Sequence, residues 1–120
     1  MAKIMIVDDD KQVTDLLQKL LLIEGFQTVA INDSSKAVET AINEKPDLFL
    51  LDLMMPQPDG FKLCRLLRQE SVFVLTPIII VTALDDSDSR AVAFGAGAND
   101  YITKPFMPDE LTERVKELLA

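Results

Sequence analysis

Histidine is absent from this 120-residue chain. That removes the commonest acid–base side chain near neutral pH and the commonest metal ligand. Any chemistry therefore runs on carboxylates, hydroxyls, lysine and a hard cation. Cysteine is nearly absent as well. Cys64 stands alone, so no internal disulfide can form and nothing asks for an oxidising compartment. Long apolar runs are missing. The stretch Ile4 to Val7 is too short for a signal peptide, and acids follow it rather than a small-residue cleavage site. Leu20 to Ile23 is bounded by Gln18, Lys19 and Glu24 and falls far short of the ~20 residues of a membrane span. Positive charge is in deficit: the net charge is −8, and an acidic chain repels nucleic-acid phosphates. The expectation is a soluble cytoplasmic protein that contacts neither membrane nor nucleic acid directly.

What is present suits one folded domain, residues 1–120. A composition of 48% hydrophobic and 27% charged residues reads as globular rather than disordered. No repeat, low-complexity tract or linker interrupts it. Strand and helix patterns alternate from end to end. Ile4 to Val7 is an unbroken apolar run, as in a strand buried on both faces. Val13, Leu16, Leu17, Leu20 and Leu21 fall at helical spacing, and Gly25 is a stop signal. Thr28 to Ile31 reads as the second strand. Asp33 or Ser34 caps a second helix with Ala37, Val38, Ala41 and Ile42 on its apolar side, and Pro46 ends it.

Leu48 to Leu51 is the third strand and runs straight into Asp52. A turn-rich loop with Pro56, Pro58, Asp59 and Gly60 leads to a helix carrying Phe61, Cys64 and Leu67. The apolar segment Glu70 to Thr76 either extends that helix or packs beneath it. Ile78 to Val81 is the fourth strand, ending at Thr82. A helix after the polar loop Asp85 to Ser89 stops in Gly95 and Gly97. Tyr101 to Thr103 is the fifth strand, followed by Lys104 and Pro105. Pro108 starts the last helix, with Asp109 and Glu110 near its positive end and Leu111, Val115 and Leu118 as its buried stripe. Five strands alternating with five helices predict an α/β fold: a doubly wound (βα)5 with a five-stranded parallel sheet covered on both sides.

Ligands of such sheets bind outside the carboxyl ends of the strands. Those ends carry Asp8, Asp9 and Asp10 on strand one, Asp52 on strand three, Thr82 on strand four and Lys104 on strand five. Asn32 ends strand two and suggests no chemistry. Taken singly, each has a bland reading: Asp10 as a helix cap, Asp52 as a turn residue, Thr82 as a β-branched strand end, Lys104 as a solvated lysine. Together they converge on one edge of the sheet. Crowded carboxylates raise one another's pKa unless a cation sits among them. Mg²⁺ is the natural cation, being hard and content with one or two carboxylates plus water and phosphate oxygens. Asp52 is then placed to act as a carboxylate nucleophile on a phosphoryl donor, giving an acyl phosphate. Lys104 would offset charge on the transferred group, and the Thr82 hydroxyl would donate to it.

At these residues the chain resembles response-regulator receiver domains, the phosphorylated half of two-component signalling. The similarity rests on IVDDD (Ile6 to Asp10), LLDLMMPQPDG (Leu50 to Gly60), IIIVTA (Ile78 to Ala83) and GANDYITKPF (Gly97 to Phe106), in that order over nearly the whole chain. The resemblance implies a chemotaxis-regulator-like, flavodoxin-like strand order 2-1-3-4-5. It implies Asp52 as phosphoacceptor and Mg²⁺ held by Asp9 directly, Asp8 mainly through water, Asp52, and the backbone carbonyl of Met54. Thr82 would be the switch hydroxyl, Lys104 the lysine beside the phosphoryl group, and Tyr101 the aromatic that fills the space left when Thr82 moves inward. A lone Tyr101 would otherwise read as a half-buried ring with a wet hydroxyl. The Lys104–Pro105 bond would be cis. The partners implied are a histidine kinase or phosphotransfer protein, an unidentified downstream target or output domain, and a phosphorylation-dependent homodimer formed through the surface of helix four, strand five and helix five. The protein would be a phosphoacceptor rather than an enzyme. Met54 and Leu84, two residues beyond Asp52 and Thr82, are apolar where they flank the phosphoryl group, so autodephosphorylation should be slow.

Two other readings use the same residues. A haloacid-dehalogenase-type phosphohydrolase would take Asp8 and Asp10 as its Asp-x-Asp pair, but Gln12 stands where that family has threonine or valine, and a cap domain has no room. A pseudo-receiver, which binds without phosphorylation, should lack some of Asp9, Asp52, Thr82 or Lys104, and all are present.

Overall fold

The computed structural model describes residues 1–120. Five strands, β1 (Lys3–Val7), β2 (Gln27–Ile31), β3 (Leu48–Leu51), β4 (Ile78–Thr82) and β5 (Asp100–Thr103), alternate with five helices. The helices are α1 (Lys11–Ile23), α2 (Ala37–Glu44), α3 (Gly60–Gln69), α4 (Ser87–Gly95) and α5 (Pro108–Leu119). All strand pairings are parallel and the order is β2-β1-β3-β4-β5, as the resemblance implies. No helix is long and apolar enough to cross a membrane.

Apart from Lys3 and Thr82 at their ends, the central strands β1, β3 and β4 are apolar throughout because both faces are covered. Successive side chains point to opposite faces, so each strand feeds two cores. Met5, Val7, Phe49, Leu51, Ile78 and Ile80 pack with Ala37, Ala41, Leu63, Leu67 and Ala93 from α2, α3 and α4. Ile4, Ile6, Leu48, Leu50, Ile79 and Val81 pack with Leu17, Leu21, Leu111 and Val115 from α1 and α5. Each fully buried aliphatic side chain contributes roughly 1.5–3 kcal/mol against exposure.

Helix starts follow local chemistry. Asp10, Asp59 and Asp86 each cap a helix by accepting a backbone N–H, from Gln12, Lys62 and Ser89 respectively. Of the two candidate caps near α2, Asp33 is the one that accepts, from Ser35, and it caps a short 3₁₀ turn, Ser34–Lys36, that precedes the α-helix. Ser34 instead turns its buried hydroxyl toward the carbonyls of Pro56 and Pro58, at 2.9 and 2.8 Å. One hydroxyl proton shared between two carbonyls ties the β3–α3 loop to the start of α2. Lys104–Pro105 is cis, and Gln57–Pro58 is cis as well.

The segment Glu70 to Thr76 does not extend α3. It forms a 3₁₀ turn, Ser71–Phe73, that drops Phe73 under the sheet with its ring edge-on to Phe49 at 5.1 Å, while Val72, Val74 and Leu75 stay exposed. Arg68 holds this turn. Its guanidinium donates to the carbonyls of Phe73 (2.7 Å), Thr76 (2.6 Å) and Gly97 (2.8 and 3.0 Å) and to Asn99 Oδ1 (2.7 Å). It thus joins α3, the turn before β4 and the turn before β5. Arg68→Ala should cost about 2–3 kcal/mol, because several acceptors lose a charged donor together. A fall of roughly 10 °C in the thermal midpoint, followed by circular dichroism, is the expected reading. A fall under about 2 °C would show that water replaces the guanidinium at little cost.

Candidate functional site

The parallel sheet brings the ends of β1, β3, β4 and β5 to one edge. Asp8 and Asp52 follow β1 and β3 directly, with their backbones bonded into the sheet through Asp8 N to Ile31 O (3.1 Å) and Asp52 N to Val7 O (3.0 Å). Both are buried, at 3% and 7% exposure. Asp9 is exposed beside them. Carboxylate oxygens of Asp8, Asp9 and Asp52 all lie within 4.8 Å of one another.

Lys104 reaches into this cluster from the end of β5. Its ammonium donates to Asp8 Oδ2 at 2.7 Å and to Asp52 Oδ2 at 3.0 Å. Burial alone would lower its pKa, but the hydrogen bonds to Asp8 and Asp52 outweigh it and the net shift is upward. Asp8 shifts upward chiefly because it is buried. Its bonds from Lys104 and from the Asp10 N–H offset part of that rise, and the charge of Asp52 adds to it. Three carboxylates face a single ammonium, so the cluster is short of positive charge even with Lys104 in place. An all-oxygen donor set of this kind fits a hard divalent cation such as Mg²⁺.

The remaining expected residues lie around this centre. Met54 donates its N–H to Asp52 Oδ1 at 3.2 Å, and its side chain is exposed. Thr82 is fully buried. Its hydroxyl makes no hydrogen bond to Asp52 or Lys104 and has only the Leu84 N–H, at 3.5 Å, as a partner. Tyr101 is 5% exposed, and its hydroxyl donates to the Leu84 carbonyl at 2.6 Å. The isolated reading of Tyr101 as a half-buried ring with a wet hydroxyl is therefore corrected. Burial pushes its phenol pKa up, and Arg90, stacked over the ring, opposes that rise.

Two contributors carry no signal in sequence. Asn32, read as inert, donates its side-chain amide to the Asp8 carbonyl (2.9 Å) and to Thr14 Oγ1 (3.1 Å), bracing the acidic loop against α1. Gly60 reads only as a turn residue. A Cβ there would stand 2.0 Å from the Asp52 carbonyl oxygen and 2.6 Å from Leu53 Cα, so only glycine lets α3 start against the end of β3. Asp10 behaves as a cap and does not join Asp8 as a pair.

The family model of the response regulator receiver domain matches residues 4–116. The chain belongs to the response regulator receiver family. This receiver is 40% identical over 117 residues to the alkaline phosphatase synthesis transcriptional regulatory protein PhoP of Bacillus subtilis, covering 98% of this chain and 48% of that protein. It is 43% identical over 118 residues to the DNA-binding response regulator MtrA of Mycolicibacterium smegmatis, covering 98% of this chain and 50% of that protein. The chain thus spans about half the length of the curated relatives it matches. Among solved structures it resembles the BeF3-activated N-terminal receiver domain of Klebsiella pneumoniae RstA, with a TM-score of 0.90, 37% identity, and coverage of 98% of this chain and 97% of that one. It also resembles the chemotaxis protein CheY4 of Vibrio cholerae, with a TM-score of 0.94, 26% identity and 99% coverage of both chains.

Proposed function

We propose that residues 1–120 form one cytoplasmic phosphoacceptor domain of a two-component system, in which Asp52 takes a phosphoryl group from a phosphohistidine on a histidine kinase or phosphotransfer protein. The observation that carries this reading is the pair of ion-paired hydrogen bonds from Lys104 to Asp8 and Asp52, which puts one ammonium between two buried carboxylates at the carboxyl edge of the sheet. In the transfer, an Asp52 oxygen bonds to phosphorus as the P–N bond of the donor breaks, and the imidazole keeps the electron pair. Lys104 is placed to follow the charge onto the transferred group. Asp8, Asp9, Asp52 and the Met54 carbonyl would hold Mg²⁺. When bound, Mg²⁺ supplies the positive charge this cluster lacks.

The new acyl phosphate offers acceptor oxygens to the Thr82 hydroxyl, whose present partner is weak. Thr82, Leu84 and Tyr101 are linked in series, so movement of Thr82 shifts the population of Tyr101 orientations and the surface of α4, β5 and α5. That surface is the proposed contact for a downstream target, an output domain or a second copy of the chain. Incubation with acetyl phosphate and Mg²⁺ should add one phosphoryl group to the intact mass, labile as an acyl phosphate. No adduct from either acetyl phosphate or a phosphohistidine protein would make the chain a pseudo-receiver.

The lifetime of the signal follows from two side chains. Met54 is exposed and Leu84 packs against the core, and neither apolar side chain can order a water for attack on phosphorus. Autodephosphorylation should be slow. Met54→Asn/Leu84→Glu should shorten the phosphoryl half-life roughly tenfold or more by supplying polar groups that position water. Decay of the phosphorylated mass after removal of the donor measures it, and an unchanged half-life would count against the reading.

A further inference from the structure

Tyr101 is gripped from three directions. Its hydroxyl bonds to the Leu84 carbonyl, two residues beyond Thr82. The Phe94 ring lies 6.4 Å away, tilted by 38°. The Arg90 guanidinium lies 4.6 Å from the ring centroid. Arg90 and Phe94 are one helical turn apart on α4 and share a face. The ring therefore joins β5 to the loop after Thr82 and to α4.

Arg90 is the only charged member of this set, and it has no competing engagement. It takes part in none of the ion pairs of the molecule. Asp86, four residues earlier, is its natural helical partner. The Asp86 carboxylate instead turns to Ser89, accepting from its N–H at 3.0 Å and its hydroxyl at 2.8 Å, and makes no ion pair with Arg90. The guanidinium is left with the face of the ring, an arrangement that arginine stabilises through charge and planar stacking.

We propose that Arg90 is the positioning residue that holds Tyr101 in its buried orientation before any phosphoryl group arrives, and thereby strengthens binding of the phosphoryl group's mimics at Asp52. This rests on the proposed role of Thr82 and Tyr101 as the switch. Its logic is linkage. If the buried ring and an occupied Asp52 favour the same state, an interaction that stabilises one strengthens the other, by at most the same factor. A partly exposed cation–π contact is expected to bias the ring's orientation about 2- to 5-fold.

The chain has no tryptophan and a single tyrosine, so tyrosine emission reports on Tyr101 alone. Acrylamide quenching of that emission is compared for the full chain and the variants Arg90→Ala and Arg90→Lys. The measurement is made first without ligand, then with Mg²⁺ and beryllium fluoride. Without ligand, Arg90→Ala should be quenched about twofold more strongly, and Arg90→Lys should fall between it and the parent, because an ammonium keeps the charge but not the stacked plane. Beryllium fluoride affinity, read by fluorine NMR, should weaken by up to about 5-fold in Arg90→Ala. Circular dichroism melts confirm that both variants fold. Equal quenching of parent and Arg90→Ala without ligand would overturn the positioning role. Altered quenching with unchanged beryllium fluoride affinity would overturn the coupling. If the parent binds beryllium fluoride and its tyrosine does not respond, the switch reading of Tyr101 fails, while the ligand-free comparison still decides the role of Arg90.

Discussion

Asp52→Asn should gain no phosphoryl group from acetyl phosphate and Mg²⁺, while the parent chain gains one. The amide has nearly the shape of the carboxylate, so the fold should hold, although its single oxygen can replace only one of the two acceptors that meet Lys104 and the Met54 N–H. What it loses is the anionic oxygen that attacks phosphorus. Neighbouring variants separate the other roles. Asp9 is exposed and makes no side-chain hydrogen bond or ion pair, so Asp9→Asn should melt with the parent. Its phosphorylation should nevertheless need far more Mg²⁺, since one carboxylate of the cluster is gone. Lys104→Ala should slow phosphoryl transfer about 10²-fold, the usual consequence of removing one charge-stabilising donor. Intact mass against time, with chelator as control, reads all three. A phosphorylated Asp52→Asn protein would move the acceptor elsewhere and remove the basis of the assignment.

Gly60→Ala should damage both fold and site. The added methyl would meet the Asp52 carbonyl oxygen at 2.0 Å and Leu53 Cα at 2.6 Å, and both are backbone atoms that cannot swing aside. The start of α3 would have to move away from β3, breaking the bond from Gly60 N–H to the Leu53 carbonyl. Overpacking of this severity lies at the upper end of the usual range, about 3 kcal/mol. The thermal midpoint should fall by roughly 10 °C. Phosphorylation measured well below the melt should also slow, because a shift of about 1 Å in a reacting group can cost on the order of 10²-fold. A variant melting within about 2 °C of the parent would show that α3 docks without this close approach.

The order of elements, the parallel sheet and the edge that carries the site are all legible in the chain. The reason is that their signals are local. An apolar run such as Ile78 to Val81 cannot be an exposed strand. Pro108 followed by Asp109 and Glu110 announces a helix start wherever the helix later docks. The carboxyl ends of parallel strands lie together by geometry, so Asp8, Asp52, Thr82 and Lys104 can be placed on one edge before any packing is known.

Side-chain partnerships are different. Arg68 has the same local signature as a solvated arginine, yet its partner Asn99 lies 31 residues away. Asn32 looks inert until β1 and β2 pair and set it against Asp8 and Thr14. Ser34 looks like a cap, and Asp33 does that work while Ser34 reaches the loop before α3. Thr82 and Tyr101 each stand in a legible motif, but the burial of the ring, its bond to Leu84 and its cover by Arg90 depend on how α4 packs on β5. Propensity and pattern are properties of neighbours in the chain. Hydrogen bonds and ring contacts across tens of residues exist only once the two cores have closed, and closure decided which polar groups met.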